Sequence, residues 1–230
     1  MNKIVTTLPL WAKKLSLAIC YHINLLLLSQ NTVSLMLTGG RSSKVLYNVL
    51  ASYIGNECWQ RIHIFFSDER NVDAFSEENN AYVSLNILFP EGIPYESNVH
   101  RIKTNFYKPS FSASEYSVLL PESIDILLLS MGEDGHIASL FPGASGLNEL
   151  TNKMISVIGP KPPRSRITIS PVVIQSAKQV FVLAIGDKKR RKYEEALIDP
   201  DDIKSIPARL VLNKTWIFDL DEEFDLCPKL

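Results

Sequence analysis

Ile124-Asp125-Ile126-Leu127-Leu128-Leu129-Ser130 runs directly into Met131-Gly132-Glu133-Asp134-Gly135-His136-Ile137-Ala138-Ser139-Leu140-Phe141-Pro142-Gly143. The first half is a near-continuous apolar run, the pattern of a strand buried on both faces within a parallel sheet. The second half breaks that run with Gly, two acids, Gly and His. Polar chemistry is thereby placed at the carboxyl end of a strand, the edge at which open α/β sheets bind ligands. His136 is the candidate proton-transfer group of this loop.

Three more apolar runs end in the same manner. Val33 to Leu37 leads to Thr38-Gly39-Gly40-Arg41-Ser42-Ser43, Ile62 to Phe66 to Ser67-Asp68-Glu69-Arg70, and Val180 to Ile185 to Gly186-Asp187-Lys188-Lys189. If these strands are parallel, all four clusters share one edge. Between them the spacing predicts helices: Pro9 to Gln30, a helix capped by Ser42 or Ser43 and reaching about Ile54, one from Asn79 or Asn80 to Phe89, Ser112 to Leu120, one opened by Ser170-Pro171, and Lys188 to Ile198 with an Arg190–Glu194 surface pair. Val99 to Ile102, Met154 to Ile158 and Trp216 to Phe218 read as further short strands, and Lys161-Pro162-Pro163-Arg164 as a rigid turn. The alternation predicts a single α/β domain over 1–230: Rossmann-like, one mostly parallel sheet with helices on both faces.

The chain has 230 residues, 46% of them hydrophobic, enough for a full core. Its 24 basic and 25 acidic residues leave a formal net charge of -1, which opposes a nucleic-acid footprint or a polybasic membrane anchor. Leu15 to Leu28 is apolar behind Lys13-Lys14, yet His22 and Asn24 interrupt it and no small-residue cleavage site follows, so a packed helix is expected in place of a signal peptide or membrane span. Cys20, Cys58 and Cys227 are far apart and form no Cys-x-x-Cys pair, which fits a reducing cytoplasm and no structural metal.

Gly39-Gly40 ahead of a helix suits a phosphate, because Gly admits close backbone approach and free N–H groups favour an anion. It is neither a Walker loop nor a dinucleotide fingerprint. Asp68-Glu69-Arg70 is either a self-paired surface turn or a carboxylate and guanidinium that orient a base and hold an anion. His22 and His63 read as packed residues and His100 as a loop residue. Arg166 and Lys189 are candidate phosphate partners, set against a plainly solvated basic face from Lys188 to Lys192. No Gly-x-Ser-x-Gly elbow is present, which disfavours a serine hydrolase.

Together these motifs resemble the 6-phosphogluconolactonase family, over essentially the whole chain and in the same order. Gly39-Gly40 is similar to its first phosphate loop, and Ser67-Asp68-Glu69-Arg70-Asn71-Val72 with Asn80 to its Asp-Glu-Arg block. Gly132 to Gly143 is similar to its signature, followed by Pro162-Pro163, Arg166, Thr168, Gly186, Lys189 and Pro207-Ala208. The chain departs at Ser42-Ser43, where the family often has Thr-Pro, and in a short segment from Arg101 to Ile124.

The resemblance implies a Rossmann-like fold related to glucosamine-6-phosphate deaminases. It also implies hydrolysis of 6-phospho-D-glucono-1,5-lactone to 6-phosphogluconate in the oxidative pentose phosphate pathway, with no metal or organic cofactor. His136 would be the general base, oriented by Asp134 or Asp68, with Arg70 on the oxyanion or substrate. Gly39, Gly40, Arg41, Ser42, Arg166 and Lys189 would hold the phosphate. The expected partner is the small sugar-phosphate lactone, with no nucleic acid or membrane, in a cytoplasmic monomer or weak homo-oligomer. Two alternatives stand beside it: an amino-sugar phosphate deaminase, whose family carries a Glu where this chain has Phe141, and a non-catalytic sugar-phosphate sensor, whose usual helix-turn-helix has no room before Val33.

Overall fold

The computed structural model of the chain describes residues 9–104 and 108–219. Five strands form a parallel sheet: β1 (Val33–Leu37), β2 (Ile62–Phe66), β4 (Ile126–Ser130), β7 (Gln179–Leu183) and β8 (Thr215–Ile217). Their spatial order is β2-β1-β4-β7-β8. All five residues of β1 are buried. Because successive side chains point to opposite faces, such a strand must be covered on both sides. The covering helices are α1 (Leu10–Leu27), α2 (Arg41–Leu50), α3 (Asn56–Trp59), α4 (Asn80–Leu88), α5 (Pro109–Leu119), α6 (Pro171–Ser176) and α7 (Asp187–Ile198).

One largely parallel sheet is too simple a description. β3 (Asp68–Arg70), β5 (Met154–Ile158) and β6 (Ser165–Ile169) form a second, antiparallel sheet in the order β3-β6-β5. The expected strand-end cluster Asp68-Glu69-Arg70 is therefore itself a strand, paired to β6 with Arg70 opposite Arg166. Ser67 joins the two sheets: its N–H donates to Leu37 O at 2.8 Å and its carbonyl accepts from Ile169 N–H at 2.8 Å. The chain leaves β2 at one side of β1, runs through β3, α4 and α5, and returns as β4 on the other side of β1. That reversal is the topological switch point, where such sheets open a crevice beyond their carboxyl ends.

Several local expectations are corrected. Val99 to Ile102 is not a strand; Val99 makes a single bridge to Ile64, and Tyr95 to Asn98 is taken up by a tight turn. α2 stops at Leu50, and neither Ser42 nor Ser43 caps it: Gly40 is the cap residue, and Ser43 Oγ donates back to Gly40 O at 2.8 Å. Ser170 precedes α6 without a side-chain cap, since its Oγ donates to Asn152 O. Arg190 pairs with Asp187 at 3.0 Å in place of Glu194. Asn79 does cap α4, its Oδ1 accepting from Tyr82 N–H at 2.8 Å. Cys227 lies outside the described residues, and Cys20 and Cys58 are free thiols. No described helix is long and apolar enough to cross a membrane.

Candidate active site

The carboxyl ends of β1, β4 and β7, with β3 and β6 of the small sheet, enclose a cleft of about 700 Å3. Gly39, Gly40, Arg41, Ser42, Asp68, Arg70, His136, Arg166 and Lys189 all line it. The four expected clusters thus converge. Asp134 is not on the wall; it reaches the site through His136.

The loop after β4 presents His136 by folding tightly. Gly132 N–H donates to His136 O at 2.8 Å, and Gly135 N–H to Gly132 O at 3.1 Å. The imidazole lies against Gly132 so closely that a Cβ there would stand 2.1 Å from His136 Nδ1. Asp134 Oδ1 is 2.5 Å from that same Nδ1. Burial alone would raise the Asp134 pKa, but the hydrogen bond and charge of His136 outweigh it and hold the carboxyl at about 2. A carboxylate can only accept, so Nδ1 carries the hydrogen, and in the neutral imidazole Nε2 is the nitrogen with the lone pair.

The depressed value has a consequence for stability. Because it lies below the ordinary 3.8, the pairing stabilises the fold above that pH, and the contribution drains away as pH falls toward 2. Asp134→Asn is expected to lower the unfolding midpoint above this window and to match wild type at its bottom. Urea unfolding across the acid range checks it.

Asp68 serves a different purpose. It is 6% exposed, and its Oδ2 accepts from Ser139 Oγ at 2.6 Å, while Ser139 N–H donates to Thr168 Oγ1 at 3.1 Å. It makes no hydrogen bond to His136 among those of the described residues, so of the two acids proposed to orient the base, Asp134 is the one in contact. Asp68 ties the signature loop to the small sheet. Beside it, Glu69 is fully buried and accepts from the backbone N–H groups of Arg70, Asn80 and Ala81, fixing the start of α4. Burial pushes its pKa up to about 7 despite those donors.

Asn80, placed by α4, packs on the phosphate-loop candidate. Its Nδ2 donates to Asp68 O at 3.0 Å, and a Cβ at Gly39 would lie 2.2 Å from its Oδ1. Gly39→Ala is therefore expected to destabilise the fold by ~1–3 kcal/mol, through displacement of Asn80 in a packed site. Denaturant midpoints measure this; a midpoint equal to wild type would show that Asn80 moves freely.

The cations fall into two groups. Lys189 donates to Ser130 Oγ at 3.2 Å, near the start of α2, and both burial and the Arg41 charge disfavour its protonated form. Arg41 itself is 94% exposed and pairs loosely with Glu133 at 3.8 Å. Arg166 reaches the same cleft from the small sheet, where it is paired opposite Arg70. Its Nε donates to Pro163 O at 2.8 Å, and burial followed by the neighbouring Arg70 charge works against its cation. Arg70 donates to Glu78 O at 2.7 Å, while its Nε is buried without a partner among the described residues. Neither guanidinium has a carboxylate at ion-pair distance among those residues. Two adjacent guanidiniums with spare donors at a cleft wall are a ready receptor for an anion.

Residues 10–218 match the family of glucosamine-6-phosphate isomerases/6-phosphogluconolactonase. The chain belongs to this family.

Among its relatives, a Caenorhabditis elegans protein provisionally named a 6-phosphogluconolactonase is 37% identical over 214 residues, 86% of this chain and 77% of that protein. A Streptomyces coelicolor 6-phosphogluconolactonase is 31% identical, with 83% of this chain and 81% of that protein covered. The crystal structure of a Thermotoga maritima 6-phosphogluconolactonase superposes with a TM-score of 0.80 at 27% identity, covering 90% of this chain and 94% of that one.

The family has two kinds of member, which directs attention to Phe141. It is 7% exposed, its ring centroid is 4.8 Å from that of His136, and Arg166 Cζ lies 5.7 Å from it. An apolar ring thus occupies the side of the base where the resemblance gives the isomerase branch a Glu. Residues that sequence reasoning left out are Glu69, Ser130 and Ser139. Ser130 ends a hydrophobic strand and Ser139 sits in the signature, but only the fold reveals that they hold Lys189 and Asp68.

Proposed function

We propose that this chain hydrolyses 6-phospho-D-glucono-1,5-lactone to 6-phospho-D-gluconate, the lactonase step of the oxidative pentose phosphate pathway. The observation that carries the reading is a His136 bound through Nδ1 to Asp134 and packed on a buried Phe141, in a cleft where Arg70 and Arg166 have no carboxylate at ion-pair distance among the described residues. We also take the chain as one such domain, since one apolar cluster runs from Leu15 to Ile217.

In this mechanism the phosphate rests on the backbone at Gly39 and Gly40, with Arg41 and Ser42 beside it and Lys189 and Arg166 supplying charge-assisted bonds. His136 Nε2 takes a proton from water as the water oxygen bonds to the lactone carbonyl carbon. Asp134 fixes the Nδ1–H tautomer and stabilises the imidazolium. Arg70 faces the oxygen on which negative charge develops, and Asp68 holds the loop that presents the base. When the carbonyl re-forms, the bond to the ring oxygen breaks and that oxygen receives the proton from His136. A strained ester needs one base and good positioning more than it needs a nucleophile of the protein.

Product analysis on two substrates tests this. The lactone is expected to yield 6-phosphogluconate, and glucosamine 6-phosphate to yield no ammonia. Ammonia release would assign the chain to the isomerase branch, and tight 6-phosphogluconate binding without turnover would make it a sensor.

A further inference from the structure

The exposed face of α1 is the part of the surface that the catalytic reading leaves unexplained. Leu10, Leu17, Tyr21, Leu25 and Leu28 are 45%, 55%, 39%, 49% and 85% exposed, and all fall on one side of the helix. No Asp, Glu, Lys or Arg occurs from Leu15 to Gly40. Asn24, on the same side, already donates its amide to Cys20 O at 2.9 Å, so covering it strands no donor.

We infer that this face pairs with the same face of a second copy of the chain, α1 against α1, antiparallel about a two-fold axis at Tyr21. The spacing carries the choice of occupant. Lys14 and Leu17 precede Tyr21 by the intervals at which Leu28 and Leu25 follow it. A two-fold interface brings each residue onto its mirror position. Leu17 then meets the partner's Leu25 twice, and the two Tyr21 rings meet on the axis, where each hydroxyl both donates and accepts. The stem of Lys14 covers the partner's Leu28, and its ammonium sits beside the partner helix's carboxyl end, the favourable end for a cation. A parallel pairing would place like residues side by side and bring the Lys13-Lys14 pairs together.

The area sets the strength. The four apolar side chains that meet the partner, Leu17, Tyr21, Leu25 and Leu28, leave roughly 420 Å2 of surface per protomer, about 840 Å2 across a pair, in the range of weak and transient contacts. A weak dimer that dissociates on dilution is the expected state.

Sedimentation equilibrium of the full chain over a concentration series tests the proposal. The weight-average mass is expected to climb from 25.9 kDa toward twice that value. Leu17→Glu is expected to weaken association at least ~10-fold, and Leu17→Glu combined with Leu25→Lys to restore much of it, because the two positions face each other across the axis. Tyr21→Cys is expected to form an intermolecular disulfide on mild oxidation, with wild type as the control for the native thiols. Lactone turnover and circular dichroism report whether each variant is folded. A wild-type mass that stays monomeric at every concentration would overturn the proposal. So would a dimer indifferent to Leu17→Glu, or a Tyr21→Cys variant that fails to cross-link.

Discussion

His136→Ala is expected to lower kcat for the lactone by ~100- to 10,000-fold, the usual range for removal of a positioned general base. KM should change little, because the phosphate contacts are made by other residues. The expectation rests on local geometry. The imidazole lines the cleft, is packed between Gly132 and Phe141, and has its Nδ1 committed to Asp134, so Nε2 is the nitrogen it can offer to the substrate. The fold should survive, since the side chain is 30% exposed and the loop is held independently by Gly132, Ser139 and Asp68. Circular dichroism and steady-state kinetics, corrected for spontaneous lactone opening, check both halves. Near wild-type turnover in a folded variant would remove His136 from the mechanism.

The second large effect is expected from Arg166→Ala: KM higher by ~10- to 100-fold, with kcat within a few-fold, the signature of lost binding shared by ground and transition states. A charge-assisted bond to phosphate accounts for that size. Arg166 is well suited to the role, because burial and the adjacent Arg70 already work against its charge and a bound dianion would relieve both guanidiniums. Arg70→Ala, by contrast, should lower kcat. If Arg166→Ala instead lowered kcat with KM unchanged, the two arginines would exchange roles.

The parallel core was legible because its signals are local. β1, β2 and β4 are short apolar runs ended by Gly or charge, and they appear where periodicity placed them. Of the second sheet only β5, Met154–Ile158, was legible, and its partners were missed for the opposite reason. β3 is three charged residues, and β6 begins with Ser-Arg behind two prolines; both become strands by pairing with each other across almost a hundred residues. The same long-range pairing set Arg70 against Arg166, which sequence order kept apart. The acid partner of His136 was undecided between Asp134 and Asp68, since each stands beside a Glu just beyond the end of an apolar run. The fold separates them by giving Asp68 to Ser139.

Phe141 remains the residue on which the choice of reaction turns. A carboxylic acid beside His136 could move protons on a ring-opening sugar, whereas the buried phenyl ring of Phe141 only packs against the imidazole and offers no proton. The most direct measurement is the decay of freshly generated 6-phospho-D-glucono-1,5-lactone, followed by NMR with and without the wild-type chain. The account predicts a saturable acceleration over spontaneous opening, with 6-phosphogluconate as the product. A decay rate equal to the spontaneous one at every enzyme concentration would contradict it.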